Sequence, residues 1–168
     1  KQFIIIALCL IIGAFAPHPT PVSKFDLSRI NGKWYVHFMR SNLSPKDNRC
    51  WTETVQIDGK SVSIIESFYD SNGHISSECT AVVSDHSNAT WTIDQNYQGV
   101  FMSVDEKNYE WLMLGSTEFS FVYFFSRNLT VSKTVVAEQI TLAVRHGYNM
   151  IGTFFPNNTD CTPHEIMI

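Results

Sequence analysis

The sequence predicts an all-β domain: an eight-stranded antiparallel up-and-down barrel with one C-terminal α-helix packed outside. Three observations carry this reading. From about residue 32 to 127, short segments alternate with period two and are rich in β-branched and aromatic residues, as strands are. Turn signals separate those segments at regular spacing. One stretch after residue 131 switches to the helical period. A β-sandwich is the alternative on strand count, but the near-continuous run of hairpins lacks a long Greek-key crossover.

Before the first strand come a leader and an arm. Lys1 precedes the apolar run Phe3 to Ile12, and Ala14-Phe15-Ala16 closes it with a small-x-small ending. This pattern predicts a signal peptide over 1–16, followed by one domain over 17–168. The alternative is a buried N-terminal strand or helix. Pro17, Pro19 and Pro21 make residues 17–24 an extended arm, because proline forbids helix there.

Strands are expected at about 33–40, 50–57, 61–69, 75–83, 89–94, 97–104, 109–114 and 118–126. Trp34, Val36 and Phe38 alternate with Tyr35, His37 and Met39. Asp58-Gly59 and Ser71-Asn72-Gly73 read as hairpin turns. Further breaks fall near 84–87, 94–96, 105–108 and 115–117. In the helix over 131–146, Val135, Val136, Gln139, Ile140, Ala143 and Val144 share a face. Ser132 is its candidate cap, and Gly147 its stop. Full closure removes sheet edges, and a barrel of eight strands has room for packed side chains or one small ligand.

Composition narrows the function. The chain is 44% hydrophobic and 17% charged, which excludes disorder as the dominant state. Its formal net charge is −4, so it lacks the basic footprint of a nucleic-acid binder. The leader predicts a secreted, extracellular product. Sequons at Asn42, Asn88, Asn128 and Asn157 agree with that compartment. Cys9 leaves with the leader, so Cys50, Cys79 and Cys161 remain, enough for one bridge and one spare thiol. No Cys-x-x-Cys or His-x-x-x-His spacing occurs, so no metal site and no cofactor are expected.

The segment Phe25-Asp26-Leu27-Ser28-Arg29-Ile30-Asn31-Gly32-Lys33-Trp34-Tyr35 resembles the opening of a lipocalin, with Gly32 and Trp34 in the Gly-x-Trp signature. The second signature, Thr-Asp-Tyr, is met only by Asp105 in Val104-Asp105-Glu106. Lys107-Asn108-Tyr109 then continues as in the apolipoprotein D branch. Arg127 stands where the family has an Arg after its last strand. Cys50 and Asp160-Cys161-Thr162-Pro163 resemble apolipoprotein D and insect bilin-binding lipocalins. The similarity runs through residues 25–163. It implies a calyx whose floor is closed by Trp34, with Arg127 stacked on its face. It also implies a Cys50–Cys161 bridge, although many lipocalins join a different strand to the C-terminal cysteine, which here would use Cys79.

If Trp34 points inward, strand parity selects the cavity wall. The first strand contributes Val36 and Phe38, and the match of Cys50 to the family adds Glu53, Val55 and Ile57. Val62, Ile64, Glu66 and Phe68 follow, then Trp91 and Ile93. On the sixth strand the choice is Phe101 with Ser103, or Val100 with Met102. Tyr109, Trp111 and Met113, then Phe119, Phe121, Tyr123 and Phe125, complete the wall. Val122 and Phe124 face the helix. An aromatic wall with few polar groups is the chemistry of a small-molecule pocket; the alternative is a barrel filled by its own side chains. An inward carboxyl is costly unless paired or wet, so Glu53 and Glu66 either face the cavity or lie outside by a one-residue slip.

The expected function is carriage or sequestration of a small hydrophobic ligand: a retinoid, sterol, fatty acid, pheromone or bilin. The expected state is a monomer or weak homodimer. The alternative resembles salivary effector lipocalins, which scavenge biogenic amines or bind a host protein or receptor through surface loops. An enzyme is not expected. Cys79 is the sole candidate nucleophile, and no basic partner is evident for it. His37, outward by parity, and His74, on a turn, are poor haem ligands.

Overall fold

The computed structural model describes residues 18–41, 48–84, 87–159 and 161. The predicted leader over 1–16 and the sequon residue Asn42 lie outside the described residues. No described helix is long and apolar enough to cross a membrane.

Eight strands form one closed barrel in sequence order. They are β1 (Gly32–Ser41), β2 (Arg49–Asp58), β3 (Ser61–Asp70), β4 (Gly73–Val83), β5 (Thr90–Ile93), β6 (Tyr97–Val104), β7 (Trp111–Ser116) and β8 (Phe121–Ser126). Each pairs antiparallel with the next, and β8 returns to β1. The β3–β4 hairpin is closed by the pair Asp70 and Gly73, with Gly73 at φ +125°, a conformation L side chains resist.

An α-helix, α1 (Lys133–Arg145), follows, and the Ser132 hydroxyl caps it by accepting the Val135 N–H. Val135, Val136, Ile140 and Ala143 press on the outer barrel face at Val100, Met102, Met113, Val122 and Phe124. The molecule thus has two apolar cores, one inside the barrel and one between barrel and helix. The second explains why β8 is apolar on both faces.

Phe38 was expected inside and belongs to the second core, fully buried and 5.4 Å from the Phe124 ring. The cause is a bulge: Val36 pairs with Phe125 and Phe38 with Phe124, so His37 is an extra residue and parity inverts. Met39 takes the inward place. Trp111 and Met113 were also expected inside, yet both pack under α1. Tyr109 lies before the strand at φ +55°, so alternation counted from it selects the wrong face. Leu112 and Leu114 are the inward residues.

Phe119 was expected on the last strand but sits in the β7–β8 turn, 39% exposed and edge-on to Tyr148. The Ser116 hydroxyl accepts the N–H groups of Ser120 and Phe121, which builds a turn over 117–120 instead of the expected 115–117. On β6, Phe101 faces in while Val100 and Met102 face the helix, and a bulge after Phe101 brings Val104 inward rather than Ser103.

Candidate ligand-binding site

One end of the barrel is closed. A 3-10 turn at Leu27–Ile30, capped by the Asp26 carboxylate, crosses it. The Trp34 indole N–H donates to the Ile30 carbonyl at 2.8 Å. The Arg127 guanidinium lies 3.7 Å from the centroid of the Trp34 ring. It also donates to the carbonyls of Lys33, Arg29 and Asn31. Gly32, at φ +98°, passes beneath it; an added Cβ would meet Arg127 Nη1 at 3.3 Å. Asp105 builds the neighbouring β6–β7 turn, accepting the Lys107 N–H on its carboxylate. These four residues hold the floor, as the resemblance implied for Trp34 and Arg127.

Above the floor the barrel is filled. Val36, Val55, Trp91 and Phe101 join Trp34 in the inner core, where about 20 Å³ remains beside Glu53 and Ile64. That is room for about one water molecule. The predicted pocket residues Val36, Val55, Trp91 and Phe101 are therefore packing residues below the cavity.

The upper half is open. A chamber of about 560 Å³ is lined by Met39, Trp51, Glu66, Phe68, Phe121 and Tyr123, among others. This falls within the size range of small-molecule pockets. Trp51 and Phe68 pack at 4.5 Å between ring centroids, and Phe121 meets Tyr123 edge-on at 5.7 Å. A second opening of about 420 Å³ reaches the base of this chamber from the side, past Ser77, Glu78, Cys79 and Asp94. Met39 and Trp51 are the large apolar chamber residues on β1 and β2 that sequence reasoning missed, and Ser41, Asn48, Asp70, Tyr97 and Ser120 were missed with them. Trp51 shares the parity of Glu53, so extending the inward set by two residues finds it; Met39 is hidden by the bulge.

Both acidic residues face inward. Glu53 stands opposite Glu66 in the β2–β3 ladder, and both border the side opening. Burial, with the charge of Glu66 added, pushes the Glu53 carboxyl up to about 8, so it keeps its proton at neutral pH. Burial also raises Glu66, while hydrogen bonds from the Trp51 indole and the Ser77 hydroxyl oppose that shift. Burial and the surrounding carboxylates push the Cys79 thiol up to about 12. A thiol so raised is a poor nucleophile at neutral pH. The Tyr123 hydroxyl is raised by the same burial and carboxylates.

Cys50 and Cys161 form a disulfide, with Cα atoms 5.5 Å apart, and Cys79 is free. Asn88, Asn128 and Asn157 are exposed. His37 points out, its Nε2 3.0 Å from the Asn128 carbonyl, and His74 stands beside Tyr69. Among the described residues no His, Cys, Asp and Glu cluster is arranged to hold a metal ion.

No family model and no curated protein matches the sequence. Solved structures do match the fold. Lobster apocrustacyanin A1 aligns with a TM-score of 0.64 at 16% identity, over 89% of this chain and 94% of that one. Apocrustacyanin C2 gives the same values. H1 crustacyanin from the lobster Homarus americanus aligns with a TM-score of 0.63 at 14% identity, over 89% of this chain and 86% of that one. The fold is the lipocalin barrel. At these identities the likeness establishes the architecture alone. Within that fold, this chain has a filled lower half and a carboxyl pair beside an aromatic chamber.

Proposed function

We propose that this chain is a secreted carrier that binds and sequesters a small, largely apolar ligand in the upper chamber of its barrel. The observation that carries the reading is the open aromatic chamber above a closed, packed floor. Such a site binds by removing apolar ligand surface from water, at roughly 25 cal/mol per Å² before the costs of association. A retinoid, sterol, pheromone or bilin suits that wall. A fatty acid suits it only with its carboxylate toward the mouth, away from Glu53 and Glu66. The leader pattern and the Cys50–Cys161 bridge support extracellular residence. The reading is of a binding protein rather than an enzyme, because the cavity thiol is held protonated. Native mass spectrometry of the secreted protein, with extraction of its cargo, tests this. Recovery of no ligand, together with failure to bind apolar fluorescent probes, overturns it.

The opposed Glu53 and Glu66 favour a second reading, capture of a compact biogenic amine. A protonated amine at the chamber base would pair with these carboxyls. Titration of histamine and serotonin against the Glu53→Gln and Glu66→Gln variants tests it. Absent binding, or binding that neither substitution weakens, removes this reading.

A further inference from the structure

The barrel wall is incomplete beside β4. This strand spans Gly73–Val83, yet it pairs with β5 only at Ala81, Val82 and Val83. Below those pairs the Thr80 N–H reaches the Asp94 carboxylate at 2.9 Å, and the Asp94 N–H reaches the Thr80 carbonyl at 2.8 Å. From Cys79 back to Gly73, no strand among the described residues lies against the side of β4 away from β3. Backbone groups alternate in direction along an antiparallel strand. Since Thr80 directs both its N–H and its C=O away from β3, so do Glu78, Ser76 and His74. Among the described residues these backbone groups have no partner.

Bare strand edges are templates for another chain, and proteins usually blunt them with proline, lysine or a bulge. Here the edge is straight, and residues 75–78 are exposed. The side opening of about 420 Å³ lies directly against it. Its chemistry is one-sided. Ser77 faces the interior and donates to the Glu66 carboxylate; Glu53 lies beside Glu66; Glu78 and Asp94 line the outer lip.

We propose that the free edge of β4 is a strand-docking site for an extended peptide carrying a lysine or arginine at the position that faces Ser77. The peptide continues the direction of β5, from beside Glu78 to beside His74. Its residues opposite Glu78, Ser76 and His74 exchange backbone hydrogen bonds with them. The residue opposite Ser77 points inward, toward Glu66 and Glu53. The residue opposite Ile75 also points inward, at the chamber mouth, and is apolar. This site does not require the apolar cargo proposed for the chamber, but its basic side chain would meet the same Glu53 and Glu66 carboxyls as the amine of the second reading.

The probe is acetyl-Thr-Lys-Thr-Val-Thr-amide, added at millimolar concentration to the full chain, with amide hydrogen exchange read residue by residue. In the free protein the amides of His74, Ser76 and Glu78 exchange freely, while those of Ile75 and Ser77, bonded to β3, are protected. With the peptide, exchange at the first three slows by about ten-fold or more. A peptide with Glu in place of Lys, and one N-methylated at its three threonines, both fail to protect. The proposal is overturned if the three amides are already protected without peptide. It is also overturned if the probe leaves them unchanged, or if the Glu-bearing peptide protects equally.

Discussion

Glu53 and Glu66 stand directly opposite each other in the β2–β3 ladder, with both carboxyls inside the barrel. Like charges so placed resist joint ionisation. The fold tolerates the pair because Glu53 stays protonated near neutrality while Trp51 and Ser77 donate to Glu66.

This arrangement sets a pH dependence. Glu53 is raised in the folded state to about 8, above its value in an unfolded chain. Below the unfolded value both states hold the proton, and the group costs nothing. Between about pH 4.5 and 8 the unfolded state ionises while the folded state does not, so stability falls as pH rises. Above about 8 the loss is complete. The Glu53→Gln variant should flatten this slope and be more stable than the parent at pH 8 by on the order of a few kcal/mol. Urea denaturation from pH 4 to 9 measures it. An unchanged slope in the variant would place the titration elsewhere.

The floor should depend on Arg127. Its guanidinium stacks on Trp34 and donates to the carbonyls of Lys33, Arg29 and Asn31. Arg127→Ala is expected to cost about 2–4 kcal/mol. Arg127→Lys keeps the charge but not the planar fork, and should restore less than half of that. Chemical denaturation midpoints distinguish the two.

Phe38 and Trp51 separate stability from binding. Phe38→Ala empties a site between barrel and helix and should cost about 3–5 kcal/mol, leaving probe affinity of the folded protein unchanged. Trp51→Ala strips the chamber wall and should weaken an apolar fluorescent probe by about ten-fold. Equal binding losses in both would mean that the probe sits elsewhere.

Cys79 should react slowly with thiol reagents. Its thiol is pushed up to about 12, so the alkylation rate should still be climbing at pH 10 rather than levelling near 9. Peptide mapping without reductant should find Cys79 free and Cys50 joined to Cys161. An alkylation plateau below pH 9 would contradict the burial described.

The architecture was legible because it is periodic. Alternation, hairpin glycines and the helical face of α1 are local, and they repeat enough to survive small errors at element ends. On β2 and β3 the ladder carries parity from Val55 to Glu53 and from Ile64 to Glu66, but the sequence left open whether the two carboxyls face the cavity or lie outside by a one-residue slip, and the paired register decided it. Parity failed where the ladder is irregular. The extra residue at His37 exchanged Phe38 for Met39, and the positive φ at Tyr109 turned Trp111 outward. No local signal in the sequence marks a bulge in a run of residues that are apolar on both faces.

The sequence by itself determined the barrel, the C-terminal helix and the supply of cysteines, while the Trp34 and Arg127 floor came only through a family resemblance. Tertiary structure alone decided how deep the cavity goes, which aromatic residues line it, and that β4 keeps a free edge. Those depend on how side-chain volumes from eight strands fill one interior, and on strand lengths that match imperfectly around a closed ring. Both are sums over residues distant in the chain, which no short window of sequence contains.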